Sequence, residues 1–268
     1  MADDQTVAVV TGGASGIGLA LVREAATRSD VVVIADVDEG ALQAAARELE
    51  GAAAGIQLFP VDLRDAAQVD ALADACTKLG TITLACLNAG VSATGDDLWQ
   101  TPAETMRFLL DVNVIGTANS IRSLVPKLVE QATPSAVVIT GSMAGMVTSA
   151  QSGAYSASKA ATVALAKALR AELAVAAPQV HVSLCCPGMV QTNLMRTSAR
   201  AMPDLMAGDL VEATHGALNE FGITAEEQAR RILSAVDERR FWVLPPSGDL
   251  FADLLAGELE EQRSEVAR

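Results

Sequence analysis

The chain of 268 residues is poor in aromatic side chains, which make up 3% of it, with one tyrosine among them. A core of ordinary density must then be built from Ala, Val, Leu and Ile, which suits a sheet covered on both faces by helices. Cations are scarce as well: 19 Lys and Arg stand against 33 Asp and Glu, a formal net charge of −14. Such a surface repels nucleic acid and anionic lipid. No apolar run approaches the ~20 residues that a membrane helix needs. The start, MADDQTVAVV, lacks the basic n-region of a signal peptide. These absences set the expectation of a cytoplasmic protein that engages neither nucleic acid nor membrane. Cys76, Cys86, Cys185 and Cys186 form no C-x-x-C pair, and the histidines are His181 and His215 alone. Buried free thiols and no metal site are the expectation.

What the sequence does have is alternation. Short apolar runs at residues 6–11, 31–36, 56–60, 82–87, 136–142, 180–187 and 241–244 read as strands. Most are continuously apolar, as strands buried on both faces are. Helical patterns lie between them at residues 19–29, 39–50, 66–79, 102–131, 154–177 and 225–240. Asp65 and Thr101 read as N-caps, and Pro102 as a first helical residue. Strand–helix alternation implies right-handed crossovers. The expected fold is therefore α/β: one Rossmann domain over residues 1–268, with a doubly wound, parallel, seven-stranded sheet and helices on both faces. The rhythm breaks at about residues 190–222, read as a helical insertion without sheet pairing. The stretch at about residues 249–268 reads as a polar helical tail.

A glycine-rich turn, Thr11-Gly12-Gly13-Ala14-Ser15-Gly16-Ile17-Gly18, joins the first strand to the first helix. Residues without a Cβ allow a tight turn and close approach of backbone to a pyrophosphate, and the helix N-terminus favours its charge. Asp36 ends the second strand about 20 residues on, where a carboxylate accepts from ribose hydroxyls and repels a 2′-phosphate. Neither Ser15 nor Val37 supplies a cation to offset that repulsion. NAD is expected over NADP. Tyr155 and Lys159 lie four apart on a predicted helix, hence on one face. A free phenol has a pKa near ~10, too high for a base at neutral pH, and a neighbouring cation lowers it. An exposed i,i+4 pair has the same spacing. Two facts favour the chemical reading: Tyr155 is the only tyrosine, and it follows a strand ending in Thr140-Gly141-Ser142, at the edge where such sheets hold ligands.

The T-G-x-x-x-G-x-G spacing, together with Y-x-x-x-K, resembles the short-chain dehydrogenase/reductase family, with motifs in order over roughly residues 5 to 245. The resemblance implies a catalytic tetrad of Asn113, Ser142, Tyr155 and Lys159. Tyr155 would be the acid/base and Ser142 would bond the substrate oxygen. Lys159 would also bond the nicotinamide ribose, and Asn113 would support a water relay behind it. It further implies that Asp62 and Leu63 hold the adenine ring, and that Asn88, Ala89 and Gly90 form the cofactor floor, with Leu87 where the family has a first asparagine. In Pro187-Gly188-Met189-Val190-Gln191-Thr192, Val190 and Thr192 would take the carboxamide. With Gly12, Ser15, Gly16, Ile17, Gly18, Asp36 and Val37, and with Tyr155 and Lys159 touching the cofactor as well, these complete the expected NAD site.

The resemblance implies an enzyme moving a hydride between nicotinamide and a small-molecule alcohol or ketone, and a homotetramer. An NADP-dependent carbonyl reductase and a catalytically silent NAD-binding sensor are the competing readings. The loops expected around the substrate carry Met143, Met146, Met189, Met195, Met202 and Met206, which suits a mostly apolar substrate or the packing of a lid. His215 falls in that segment as a possible substrate contact, and His181 is expected to pack within its strand.

Overall fold

The computed structural model describes residues 5–202 and 208–266. Met206 lies outside them. The chain runs β1 (Thr6–Thr11), α1 (Gly16–Ala25), β2 (Val31–Asp36), α2 (Glu39–Glu48), β3 (Gly55–Pro60), α3 (Ala66–Leu79) and β4 (Thr81–Leu87). It continues through α4 (Ala103–Leu110), a π-helical turn (Asp111–Ile115), α5 (Gly116–Gln131), β5 (Ser135–Thr140), a 3₁₀ turn (Met143–Gly145) and α6 (Gly153–Ala176). Then come β6 (Val180–Cys185), β7 (Val190–Gln191), α7 (Leu194–Ala201), α8 (Gly208–Phe221), β8 (Ile223–Thr224), α9 (Ala225–Asp237), β9 (Trp242–Val243) and α10 (Leu250–Val266).

Seven strands form one parallel sheet in the order β3-β2-β1-β4-β5-β6-β9. The order reverses between β1 and β4, which opens a crevice beyond their carboxyl ends. Val7, Val9, Val31 and Val33 point to a face packed with Leu72, Leu124, Leu128 and Leu169 from α3, α5 and α6. Ala8, Val10, Val32 and Ile34 point to the other, packed with Leu21, Leu42 and Ile232 from α1, α2 and α9. Both faces are therefore dry, and the continuous apolar runs follow from that.

Three local expectations need correction. The N-cap of α4 is Pro102 and makes no side-chain cap bond, while the Thr101 hydroxyl turns back to the Asp97 carbonyl. The segment after β6 does pair: Val190 and Gln191 lie beside Ile223 and Thr224 as a second, two-stranded sheet. His181 is only half-buried, with its Nε2 beside Ser183 Oγ and the Arg240 carbonyl. Asp65 does cap α3, accepting from the Ala67 and Gln68 N–H groups. All four cysteines are buried and free.

Candidate functional site

The glycine turn leaves β1 and enters α1. Gly12 and Gly16 have φ of +60° and +52°, which side chains with a Cβ rarely adopt. A Cβ at Gly12 would also lie 2.7 Å from Ala89 Cα, so the turn and the end of β4 are in backbone contact. Ser15, the N-cap of α1, is exposed and makes no side-chain cap bond. The helix thus offers first-turn N–H groups and a free hydroxyl, with Ile17 and Gly18 in that turn, and fits a phosphate pair.

Asp36 is held at the mouth of this turn. Its Oδ2 accepts from the Ala14 N–H at 3.1 Å and its Oδ1 from the Asp38 N–H at 3.1 Å. Each oxygen retains a lone pair for a further donor. Val37 beside it is 67% exposed, a flat apolar surface with no cation. Asp62 lies after β3, and Arg64 clamps its carboxylate with contacts of 2.6–3.0 Å. That guanidinium holds the Asp62 carboxyl below its usual range. Leu63 is buried beneath, and its carbonyl accepts from Asn119.

Asn88 knits the crevice together. Its Nδ2 donates toward the Thr11 and Gly12 carbonyls at 3.3 Å, its Oδ1 accepts from Thr140 Oγ1 at 3.0 Å, and its N–H donates to Thr11 Oγ1. Leu87, in the place of the family's first asparagine, is simply core. Gly90 is where the lysine passes: a Cβ there would meet Lys159 Nζ at 3.0 Å and Asn113 Oδ1 at 3.1 Å. From β6, Pro187 accepts from the Met143 N–H, and Gly188 lies against Phe251. Val190 is buried in the small sheet, and Thr192 carries its methyl to within van der Waals reach of Gly16. The Val190–Thr192 segment and the glycine turn therefore face the same space.

The α6 helix starts beside the end of β5 and brings Tyr155 and Lys159 onto one side. Lys159 is 4% exposed, and its Nζ donates to the Thr140 carbonyl at 3.2 Å and sits 5.9 Å from the Tyr155 ring centroid. Burial pulls the ammonium down to about 8. The phenol moves the other way from the sequence expectation: burial raises it, and a hydrogen bond with Ser142 only partly opposes that. Without cofactor the neighbouring amine does not dominate, because it is itself starved of water. Ser142 Oγ also accepts from the Ala144 N–H, which fixes the hydroxyl at the start of the 3₁₀ turn.

Asn113 sits in the π-helical turn, 1% exposed. Its side chain bonds both backbone groups of Val91, at 2.8 and 2.9 Å, and donates to Ser158 Oγ at 2.9 Å. Its carbonyl accepts from Thr117 and Thr162 hydroxyls. The amide thus orients the β4 exit loop against α6, and the structure assigns its bonds to protein atoms.

Thr140 and Ser158 belong to this constellation and went unassigned in the sequence. Ser158 occupies the turn between Tyr155 and Lys159, a signal that was available. Thr140 gave none, since a threonine ending a strand is ordinary. Cys186 is also close: burial pushes its thiol up to about 12, the Ser142 backbone opposes that, and the thiol is felt by both Tyr155 and Lys159.

Over the site, Met202 packs with Ala93, Leu109 and Ala154 against Tyr155. Leu210 of α8 lies on Gly95, and Leu98 on Gly153. Met143 and Met195 are core side chains, 1% and 2% exposed, which takes them out of any substrate surface. His215 lies on α8 rather than in a loop; it is buried, with Nε2 beside Asn219 Nδ2 and no partner for Nδ1 among the described residues.

Residues 6–203 match the family described as short chain dehydrogenase. The chain is 38% identical over 242 residues to the 1-deoxy-11-beta-hydroxypentalenate dehydrogenase of Streptomyces exfoliatus, covering 90% of this chain and 82% of that protein. The counterpart in Streptomyces arenae is 37% identical over 244 residues, again covering 90% and 82%. Among solved structures, a short chain dehydrogenase/reductase from Burkholderia phymatum in complex with NAD superposes with a TM-score of 0.88 at 32% identity, covering 100% of this chain and 97% of that one. Apo LigO from Sphingobium sp. strain SYK-6 superposes at 0.80 with 29% identity, covering 97% and 88%.

Proposed function

Since the chain belongs to the short-chain dehydrogenase/reductase family and is an oxidoreductase acting on alcohol groups of small molecules, we propose that it interconverts a secondary alcohol and a ketone on a mostly apolar, alicyclic skeleton, using NAD(H) with Tyr155 as acid/base. In this reading the chain acts as one domain, with α7 and α8 covering the substrate.

The observation that carries this reading is the cluster at the end of β5. Tyr155, Lys159 and Ser142 converge there, at the carboxyl edge of the sheet and beside the uncapped turn of α1. The uncapped N–H groups, the Gly12–Ala89 contact and the free lone pairs of Asp36 fit a dinucleotide. NAD, when bound, supplies the hydride acceptor or donor. Ser142 Oγ holds the substrate oxygen. Tyr155 takes the hydroxyl proton in oxidation and returns it in reduction. Lys159 stores or releases a proton behind it and bonds the nicotinamide ribose. Asn113 is a positioning residue through Val91 and Ser158. Asp62 and Leu63 border the adenine, Asn88, Ala89 and Gly90 the floor, and Pro187, Gly188, Val190 and Thr192 the carboxamide. Ala93 and Met202, packed beside Tyr155, and Leu210 over Gly95 make the cover of the site apolar, which suits an apolar alicyclic frame, and the Streptomyces relatives are named for a hydroxypentalenate. The alanine-rich outer face of α6, with Ala157, Ala160, Ala164 and Ala168 exposed, supports assembly into a homotetramer.

A panel of alicyclic alcohols with NAD⁺ or NADP⁺, followed by reduced-cofactor absorbance, tests the reading. Turnover with NAD⁺ is expected on apolar secondary alcohols. Tyr155→Phe should lose at least ~100-fold in kcat while cofactor affinity is kept. Near-normal turnover of that variant, or activity confined to small charged hydroxy acids, overturns the proposal.

A further inference from the structure

Thr105, on α4, is 4% exposed, and its Oγ1 has no hydrogen-bond partner among the described residues. Buried helix hydroxyls elsewhere return to the carbonyl four residues back: Thr117 to Asn113, Ser120 to Gly116 and Thr162 to Ser158. Thr105 makes no such bond, although its hydroxyl has been taken out of water. It lines a chamber of about 10 Å³, the room of one water-sized group, together with Ala93, Thr94, Asp96, Gln151 and Ala154 among others. The side chains of Thr94, Asp96 and Gln151 are likewise without a hydrogen-bond or ion-pair partner among the described residues. The walls are the loop after β4 and the entry to α6, held together by the Gly95 N–H, which donates to the Gln151 carbonyl at 2.9 Å. Ala93 and Ala154 pack with Met202 against Tyr155, so the chamber backs on the wall beside the phenol.

The lining decides what fits. The Asp96 carboxylate only accepts, Gln151 accepts through its amide oxygen, and the threonine hydroxyls both donate and accept. A carboxylate or phosphate would meet the charge of Asp96. An ammonium has no lone pair to offer the Thr105 hydroxyl. A neutral hydroxyl meets both needs in the room of a single oxygen. We propose that the chamber receives a second hydroxyl of the substrate, so that the chain acts on alicyclic diols and hydroxy-ketones, with Thr105 as a residue that sets this specificity. That hydroxyl donates to Asp96 and accepts from Thr105 Oγ1. The inference rests on the function proposed above for the reacting oxygen at Ser142 and Tyr155, whereas binding in the chamber requires no reaction.

The test is calorimetric binding of cyclohexanol and of cyclohexane-1,2-, 1,3- and 1,4-diol to the full chain in excess NADH. NADH cannot oxidise an alcohol, so binding is read without turnover, and turnover of the same alcohols with NAD⁺ is followed separately. At least one diol should bind at least ~10-fold more tightly than cyclohexanol, the worth of one buried hydrogen bond. Thr105→Val keeps the shape and removes the hydroxyl, so the ratio of the two Kd values should fall to about one. Thr105→Ser should restore the preference, each variant first checked for an intact thermal transition. A diol preference without turnover of any alcohol would keep the chamber and sink the catalytic reading. Turnover of cyclohexanol with no diol preferred would do the reverse. The proposal is also overturned by a preference that survives Thr105→Val, since the chamber would then hold a water and nothing of the substrate.

Discussion

Lys159 shows what its position exacts from a single side chain. It is 4% exposed, and its ammonium has fallen from 10.5 to about 8 for want of water. Its folded pKa lies below its unfolded one, so between the two the unfolded chain binds a proton that the folded chain lacks. Folding is therefore opposed in full below pH 8, and the opposition vanishes above 10.5. A gap of 10.5 − 8 = 2.5 units corresponds to about 3 kcal/mol as an order of magnitude. Lys159→Met should stabilise the cofactor-free protein by about 1–3 kcal/mol at pH 7 while abolishing turnover, with the gain shrinking as pH approaches 10.5. Denaturant titrations at pH 7 and 10 measure this, and a variant less stable at pH 7 refutes it. The same value bears on rate. Below pH 8 both Tyr155 and Lys159 hold their protons and no base is available. Alcohol oxidation should rise with pH through an apparent midpoint near 8, belonging to the pair, and ketone reduction should fall over the same range. A flat oxidation profile from pH 6 to 9 counts against the relay.

At the scale of elements, the strands were legible because their composition is continuous, and each main-sheet strand lies within two residues of its expected bounds. The glycine turn and the Tyr155–Lys159 face were legible for the same reason: position along a helix or after a strand fixes where a side chain goes. The π-helical turn at Asp111–Ile115 was not, since a five-residue change in winding leaves the apolar pattern of residues 102–131 unbroken. It is nonetheless what sets Asn113 between Val91 and Ser158. The β7–β8 pair was also hidden, because two-residue strands carry no periodicity. The loop after β4 holds a further detail that sequence alone leaves open. Gly95 has φ of +123° and takes Leu210 of α8 into the space a Cβ would fill. Gly95→Ala should cost about 1–3 kcal/mol of backbone strain and lift α8 away. We expect KM for apolar substrate to rise several-fold with NAD affinity unchanged, read from steady-state kinetics and a separate cofactor titration. An unchanged KM would mean that the Leu210 contact does not close over substrate.

On the scale of the whole molecule, the crevice at the β1/β4 reversal gathers chain ends that meet nowhere else: the turn after β1, the Asn88 network after β4, and Thr192 after β6. A dinucleotide bound there, as proposed, would contact all three in the folded chain alone, and so should raise the unfolding temperature. At a concentration 100 times its Kd it adds about 2.7 kcal/mol. For a domain of this size that is roughly 5–10 °C. In the function proposed above, Asp36 is the group that would discriminate between the two dinucleotides. Its carboxylate, fixed by the Ala14 and Asp38 N–H groups beside exposed Val37, would stand against a 2′-phosphate with no cation nearby. NAD⁺ should therefore shift the melting temperature by that amount while NADP⁺ at equal concentration shifts it far less, and Asp36→Ala should narrow the difference from both sides. Tyr155→Phe should leave most of the NAD⁺ shift intact, because in the proposed mechanism the phenol acts on the substrate proton and most of the binding surface lies elsewhere. Equal shifts with the two cofactors would remove Asp36 as the discriminating group. No shift with either would leave the crevice without the ligand that its uncapped helix and close glycine contacts are built to receive.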